Sequence, residues 1–185
     1  ETASRSMLVP ATATPVKSLE RHQQRAAWAG AMEEVPVASA MPYEVALAML
    51  QRNGLWLLQL RDDIESIIYP GHWGLFGGHL DPGETPVQAL MRELQEEISW
   101  APATPPPLWF SDSSNTRIAH VFRGNLEVPL NRLQLQEGQD LKLASIEELQ
   151  RGQVWSDHCQ ETRPIAPGLQ IVIERLLAES TNTDG

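Results

Sequence analysis

Three glutamates, Glu93, Glu96 and Glu97, lie within one short stretch, Arg92-Glu93-Leu94-Gln95-Glu96-Glu97. Thr85 can cap a helix, and Pro86 suits its first position, where the missing N–H costs nothing. On a wheel of roughly 100° per residue, Val87, Leu90, Met91, Leu94 and Ile98 share one arc, and the three carboxylates share the next. Like charges at this spacing repel by a few tenths of a kcal/mol. They also stand near the helix C-terminus, where the macrodipole disfavours anions. A solvated acidic face is the plain explanation of such a stretch. The alternative is a hard divalent cation, Mg²⁺ or Mn²⁺, whose preference for oxygen ligands turns the repulsion into binding.

The wider spacing favours the cation. Gly78, five residues, Glu84, seven residues and then Arg92-Glu93-Leu94-Gln95-Glu96-Glu97 resembles the signature of the Nudix (MutT-like) hydrolases. In the family that signature closes with a glycine and an apolar residue. Here Ser99 stands where the glycine would be, and Trp100 fills the apolar place. Ser99 must then adopt a left-handed backbone at a cost of about 1 kcal/mol, with no ligand lost.

The resemblance implies an α+β chain with the Nudix fold, an α/β/α sandwich around a mixed β-sheet. It implies a divalent-metal-dependent pyrophosphohydrolase cleaving a nucleoside-diphosphate derivative, with a nucleoside triphosphate, oxidised or not, favoured. NDP-sugars and ADP-ribose are the nearest alternatives, and a non-catalytic nucleotide sensor or interaction domain is the reading from another class. Carried over position by position, the metal set is Gly77 (through its carbonyl), Glu93, Glu96, Glu97 and, from a Glu-Gly pair late in the chain, Glu137. Glu93, Glu96 and Arg92 are the catalytic candidates, with the general base left open among the acids. Arg92 is expected to pair with Glu84 and fix the loop against the helix. Arg61 and Arg123 are candidate phosphate contacts, and Trp73, Phe76, Phe110 and Phe122 candidate base-stacking rings. Core packing is the competing role for each ring, and His120, on a mostly apolar strand, reads as a hydrogen-bonded core residue rather than a catalyst.

The elements that must position these residues follow from local pattern. Residues 1–40 are rich in Ala, Thr, Ser and Pro and read as an N-terminal extension, tag-derived or partly disordered, with a short helix over Leu19–Met32 and Trp28 free to dock. The domain proper spans 41–179, and 180–185 read as a disordered tail. Tyr43 to Leu50 and Leu55 to Leu60 are strands about an Asn53-Gly54 hairpin turn. A strand ending in Gly77-Gly78 enters the signature helix. Leu108–Phe110 and Arg117–Phe122 are further strands, and the proline run at 105–107 is a surface connection. Ser145 and Glu148 form a capping box. Residues 156–167 read as polar loop, and Gly168–Glu179 as a final helix with Leu169, Val172, Ile173 and Leu176 inward.

Composition sets bounds. The net charge of −10 opposes binding to nucleic-acid backbones, so nucleic-acid polymers are not expected partners. No run of eighteen apolar residues is present, so no membrane partner is expected either. A nucleotide-type small molecule remains as the partner, taken by a monomer or homodimer. The single cysteine, Cys159, allows no intrachain disulfide and is compatible with the cytoplasm, although few acids among residues 7–31 would also suit an organelle transit peptide.

Overall fold

A computed structural model describes residues 42–181. The expected extension, its Leu19–Met32 helix, Trp28 and residues 182–185 lie outside the described residues. Strands β1 (Tyr43–Arg52), β2 (Leu55–Leu60), β3 (Trp73–Gly74) and β4 (Phe76–His79) precede helix α1 (Pro86–Ile98). Then follow β5 (Leu108–Ser113), β6 (Arg117–Asn125), a single 3₁₀ turn at Leu130–Arg132, β7 (Asp140–Ala144), α2 (Ile146–Gln150), β8 (Gln153–Ser156), β9 (Glu161–Pro164) and α3 (Pro167–Thr181).

The seven-stranded sheet has the order β3-β2-β1-β6-β5, with β4 also on β1 and β7 also on β2. It is mixed: β1 and β6 run parallel from Tyr43↔Arg117 to Gln51↔Asn125, and the other pairs are antiparallel. Asn53 and Gly54 both take positive φ, 52° and 78°, as the tight turn between β1 and β2 requires. Period-two alternation divides the apolar residues between the two faces. One face packs Met49, Leu58, Leu60, Trp73 and Val121 against Leu149 of α2 and Leu169, Val172, Ile173 and Leu176 of α3. The other packs Ala46, Ala48, Leu57, Phe76 and Phe122 against Ala89, Leu90, Leu94 and Ile98 of α1. The expected α/β/α sandwich is therefore present.

Several expectations need correction. The strand before the signature helix does not stop at the paired glycines. It is two short strands, β3 on β2 and β4 on β1, and β4 runs through both glycines to His79. Residues 156–167 are not all loop, because β9 pairs with β8 from Gln153↔Pro164 to Ser156↔Glu161. Helix α1 is turned about its axis relative to the expected stripe. Val87 is exposed and Met91 half-buried, whereas Ala89, Glu93 and Glu97 join Leu90, Leu94 and Ile98 on the buried side. The rotation is roughly 60° toward the acidic arc. It is tolerated because each buried acid has a hydrogen-bond partner.

The proline run is a surface connection at Pro105 and Pro107, but its middle residue packs inward. Pro106 is buried over Gly124, where an added Cβ would come 2.7 Å from the Pro106 Cβ. Among the described residues, no helix is long and apolar enough to cross a membrane.

Candidate active site

Thr85 caps α1 with a full capping box, its hydroxyl taking the Gln88 N–H while the Gln88 side chain takes the Thr85 N–H. Ser99 ends the helix in the left-handed region, φ 52° and ψ 29°, as expected of a residue at the glycine position. Between these ends, Arg92 holds the site together. Its Nε donates to Glu84 Oε1 at 2.8 Å and its Nη2 to Glu84 Oε2 at 2.7 Å, a two-point grip that ties the preceding loop to the helix. Nη2 also donates to the His79 carbonyl at 3.0 Å. Nη1 turns to the acids, reaching Glu93 Oε1 at 2.8 Å and Glu96 Oε2 at 3.4 Å. The hydrogen bonds it donates to Glu84 hold the guanidinium's pKa above its ordinary value, against the opposing effect of burial.

The two most buried acids converge on the paired glycines of β4. Glu97, 5% exposed, accepts the Gly77 N–H at 2.8 Å. Glu93, 1% exposed, lies against Gly78, where an added Cβ would fall 2.5–2.9 Å from its carboxylate. Gly77 has φ +125°, and a Cβ there would run into the Ala46 carbonyl of β1. Both glycines therefore make room: Gly77 for the neighbouring strand and Gly78 for a carboxylate. Glu96, on the margin of the helix, keeps 28% of its side chain exposed.

A second loop closes on this end of α1. Gln134 N–H and Gln136 N–H donate to the carbonyls of Ile98 and Glu97, covering helix C-terminal acceptors, and Gln139 N–H donates to Leu60 at the end of β2. Gln59, 4% exposed in an otherwise apolar strand, donates to the Glu137 carbonyl at 2.9 Å. Gly138, φ +91°, passes so close to β2 that a Cβ would stand 2.6 Å from the Leu60 carbonyl. The Glu-Gly pair thus has a structural cause: only glycine permits the approach that brings Glu137 beside β2. Arg61, which follows β2, interacts electrostatically with Glu97 and Glu137. Burial lowers its pKa, and those two acids together with Asp62 oppose the shift. Its Nε donates to the Ile68 carbonyl, and its own carbonyl accepts from Gln139.

Gly77, Glu93, Glu96, Glu97 and Arg92 are therefore gathered at one end of α1, and Arg61 and Glu137 join them through β2. The proposed stacking rings are elsewhere. Trp73 and Phe76 are fully buried and Phe122 is 1% exposed. Trp73 donates its indole N–H to the Val154 carbonyl. Phe110 is buried with Arg175 above its ring. These rings pack the two cores and present no free face for a base. Arg123 lies over Trp56 and Trp109 and pairs with Glu179 at 3.2 Å. Gln59 and Gln139 were missed as supports of the site; the available signal was a lone amide in the apolar run Leu57-Leu58-Gln59-Leu60.

The site's donor set suits a hard divalent cation, since it consists of carboxylate and carbonyl oxygens, two of the carboxylates buried beside a glycine whose Cβ would fill their space. Among the described residues, no three His, Cys, Asp or Glu side chains already stand in a ligating arrangement. Arg92 and the Gly77 N–H engage these carboxylates instead.

Comparison with known proteins shows the family. The NUDIX domain model matches residues 41–162, and the chain belongs to the Nudix family. A MutT protein from Methanosarcina mazei Go1 superimposes with a TM-score of 0.57 at 20% identity, covering 77% of this chain and 99% of that one. The Escherichia coli ORF135 protein does so at 0.55 and 28% identity, covering 78% and 94%. A nucleoside triphosphatase NudI from Enterobacter sp. (strain 638) is 39% identical over 54 residues, which is 29% of this chain. The match spans only 38% of that relative's length.

Proposed function

We propose that this chain is a Nudix pyrophosphohydrolase, dependent on Mg²⁺ or Mn²⁺, that cleaves the diphosphate linkage of a nucleoside triphosphate, oxidised or not. The observation that carries the reading is the convergence of Glu93 and Glu97 on Gly77-Gly78, with Arg92 bridging Glu84 to the acids. The named activity of the NudI relative supports the choice of substrate class.

In this reading the Gly77 carbonyl and Glu93, Glu96, Glu97 and Glu137 hold the cation. When bound, it neutralises phosphate oxygens and lowers the pKa of water. Arg61 meets a phosphate oxygen on the β2 side. Arg92 keeps Glu93 in place and fixes the loop that carries Glu84. Glu96 is the better placed acid to take a proton from the attacking water, being the most exposed of the three helix acids.

Phosphorus NMR in ¹⁸O-water with Mg²⁺, over a panel of nucleoside triphosphates, NDP-sugars and ADP-ribose, tests the proposal. Turnover of a triphosphate with ¹⁸O in one phosphate product is the expected result. Preference for a sugar diphosphate would replace the substrate class. No turnover on any member of the panel would favour the sensor reading.

A further inference from the structure

On the α1 face of the sheet, in the row that continues through Ala46 to Gly78, three polar side chains on adjacent strands form a connected line. Ser111 of β5 is the direct partner of His120 of β6, and His120 sits opposite Ala46 of β1, two residues on from Glu44. The His120 Nε2 lies 2.7 Å from Glu44 Oε2, and its Nδ1 lies 2.9 Å from the Ser111 hydroxyl. The neighbours along this face are apolar, Ala46, Ala48 and Phe122.

The carboxylate fixes the tautomer. A neutral imidazole facing Glu44 carries its hydrogen on Nε2, so Nδ1 is left as an acceptor and the Ser111 O–H donates to it. Nucleophile, base and orienting acid thus follow one another at hydrogen-bond distance. His120 keeps only 14% of its side chain exposed, whereas Ser111 is exposed. The base is held and the hydroxyl is reachable.

The ladder also supplies a donor. The Ser114 N–H bonds to the Arg117 carbonyl, making 114/117 a hydrogen-bonded pair. Such pairs alternate in an antiparallel ladder, so Ser111 and His120 are a non-hydrogen-bonded pair. Their side chains are then close, and the Ser111 N–H points away from β6, toward the outer edge of the sheet.

We infer that Ser111, His120 and Glu44 form a second hydrolytic site, a serine nucleophile for small carboxylic esters. Ser111 Oγ bonds to the ester carbonyl carbon while its proton passes to His120 Nδ1. The Ser111 N–H stabilises the oxyanion. The bond to the alkoxide then breaks, and His120 returns the proton to that leaving group, giving an acyl-serine and an alcohol. Water attacks the acyl-serine, gives its proton to His120 Nδ1 and displaces Ser111 Oγ, which takes that proton back as the acid leaves. Glu44 is a positioning residue, because it acts through the ring.

The full-length protein is treated with a fluorophosphonate probe, and the labelled residue is found by peptide mass spectrometry. Hydrolysis of p-nitrophenyl acetate is followed in parallel. Labelling at Ser111 is expected, lost in Ser111→Ala, slowed at least tenfold in Glu44→Gln and partly restored in Glu44→Asp. The melting temperature of Glu44→Gln should stay unchanged, which separates ring orientation from folding. Glu97→Gln should label at the wild-type rate, and Ser111→Ala should keep its nucleotide hydrolysis. Absence of label at Ser111, or a labelling rate that ignores both Glu44 variants, overturns the inference.

Discussion

Arg92 satisfies Glu84, Glu93 and the His79 carbonyl at once, so its guanidinium joins loop, helix and strand. The paired glycines beside it do different jobs, and substitution should separate them. At Gly78 the obstacle is the far end of the Glu93 side chain, which can move. Gly78→Ala is therefore expected to fold but to displace Glu93 and cut turnover at least tenfold. At Gly77 the obstacle is the backbone of β1, and φ is +125°. Gly77→Ala should instead lower stability by about 2 kcal/mol or more. Thermal melts and steady-state rates on both variants distinguish the two. Glu97→Gln can still accept the Gly77 N–H, so it should melt near wild type while losing about 10²-fold or more in turnover.

At the scale of elements, the ends of the helices determine how the acids are presented. Ser99 takes the left-handed conformation that its place after α1 demands. Its hydroxyl also accepts from Gln136 at 3.0 Å, tying the helix end to the loop of Glu137. Ser99→Gly relieves roughly 1 kcal/mol of backbone cost but removes an exposed hydrogen bond of about half that size. A melting temperature raised by no more than a few degrees, with turnover unchanged, is the expected outcome.

Helix α2 gives a pH prediction. Burial pushes the Glu148 carboxyl up, but the Ser145 N–H and the Lys142 ammonium outweigh it and leave it below the usual range. A carboxyl depressed on folding contributes stability that is present above its unfolded pKa, about 4.3, and lost as pH falls through the folded value. Urea melts at pH 7 and pH 3 should therefore show a smaller loss on acidification for Glu148→Gln than for wild type.

The Thr85 cap, the Ser145 capping box and the Asn53-Gly54 turn were legible because their signals are local. The rotation of α1 was not. The wheel counts Glu93 and Glu97 as polar, whereas the Gly77 N–H from β4 and the guanidinium of Arg92 offset the cost of burying them. The β8–β9 hairpin was missed for a related reason. Its inward residues, Val154 and Ser156, leave only one apolar anchor, and Trp155 faces outward at 42% exposure.

Across the whole molecule, the sheet separates structure from chemistry by face. One face is closed by α2 and α3 over a large apolar core that includes Trp73. The other carries α1 with its acids over β4, and Ser111, His120 and Glu44 lie on the same face across β1, β6 and β5. Spacing along one helix survives folding unchanged, so Arg92, Glu93, Glu96 and Glu97 stand on α1 as the motif spaces them. The candidate rings took the competing role, core packing, since a ring's burial depends on which sheet face its strand offers, a long-range property of the register.

The central claim is that Glu93 and Glu97, brought together at Gly77-Gly78, grip a divalent cation. Electron paramagnetic resonance of Mn²⁺ titrated into the full-length protein measures this directly, by loss of the free-ion signal. Wild type should bind the ion, and the double variant Glu93→Gln, Glu97→Gln should bind it at least tenfold more weakly while retaining its circular dichroism spectrum. Equal Mn²⁺ affinity in the two proteins would contradict the account.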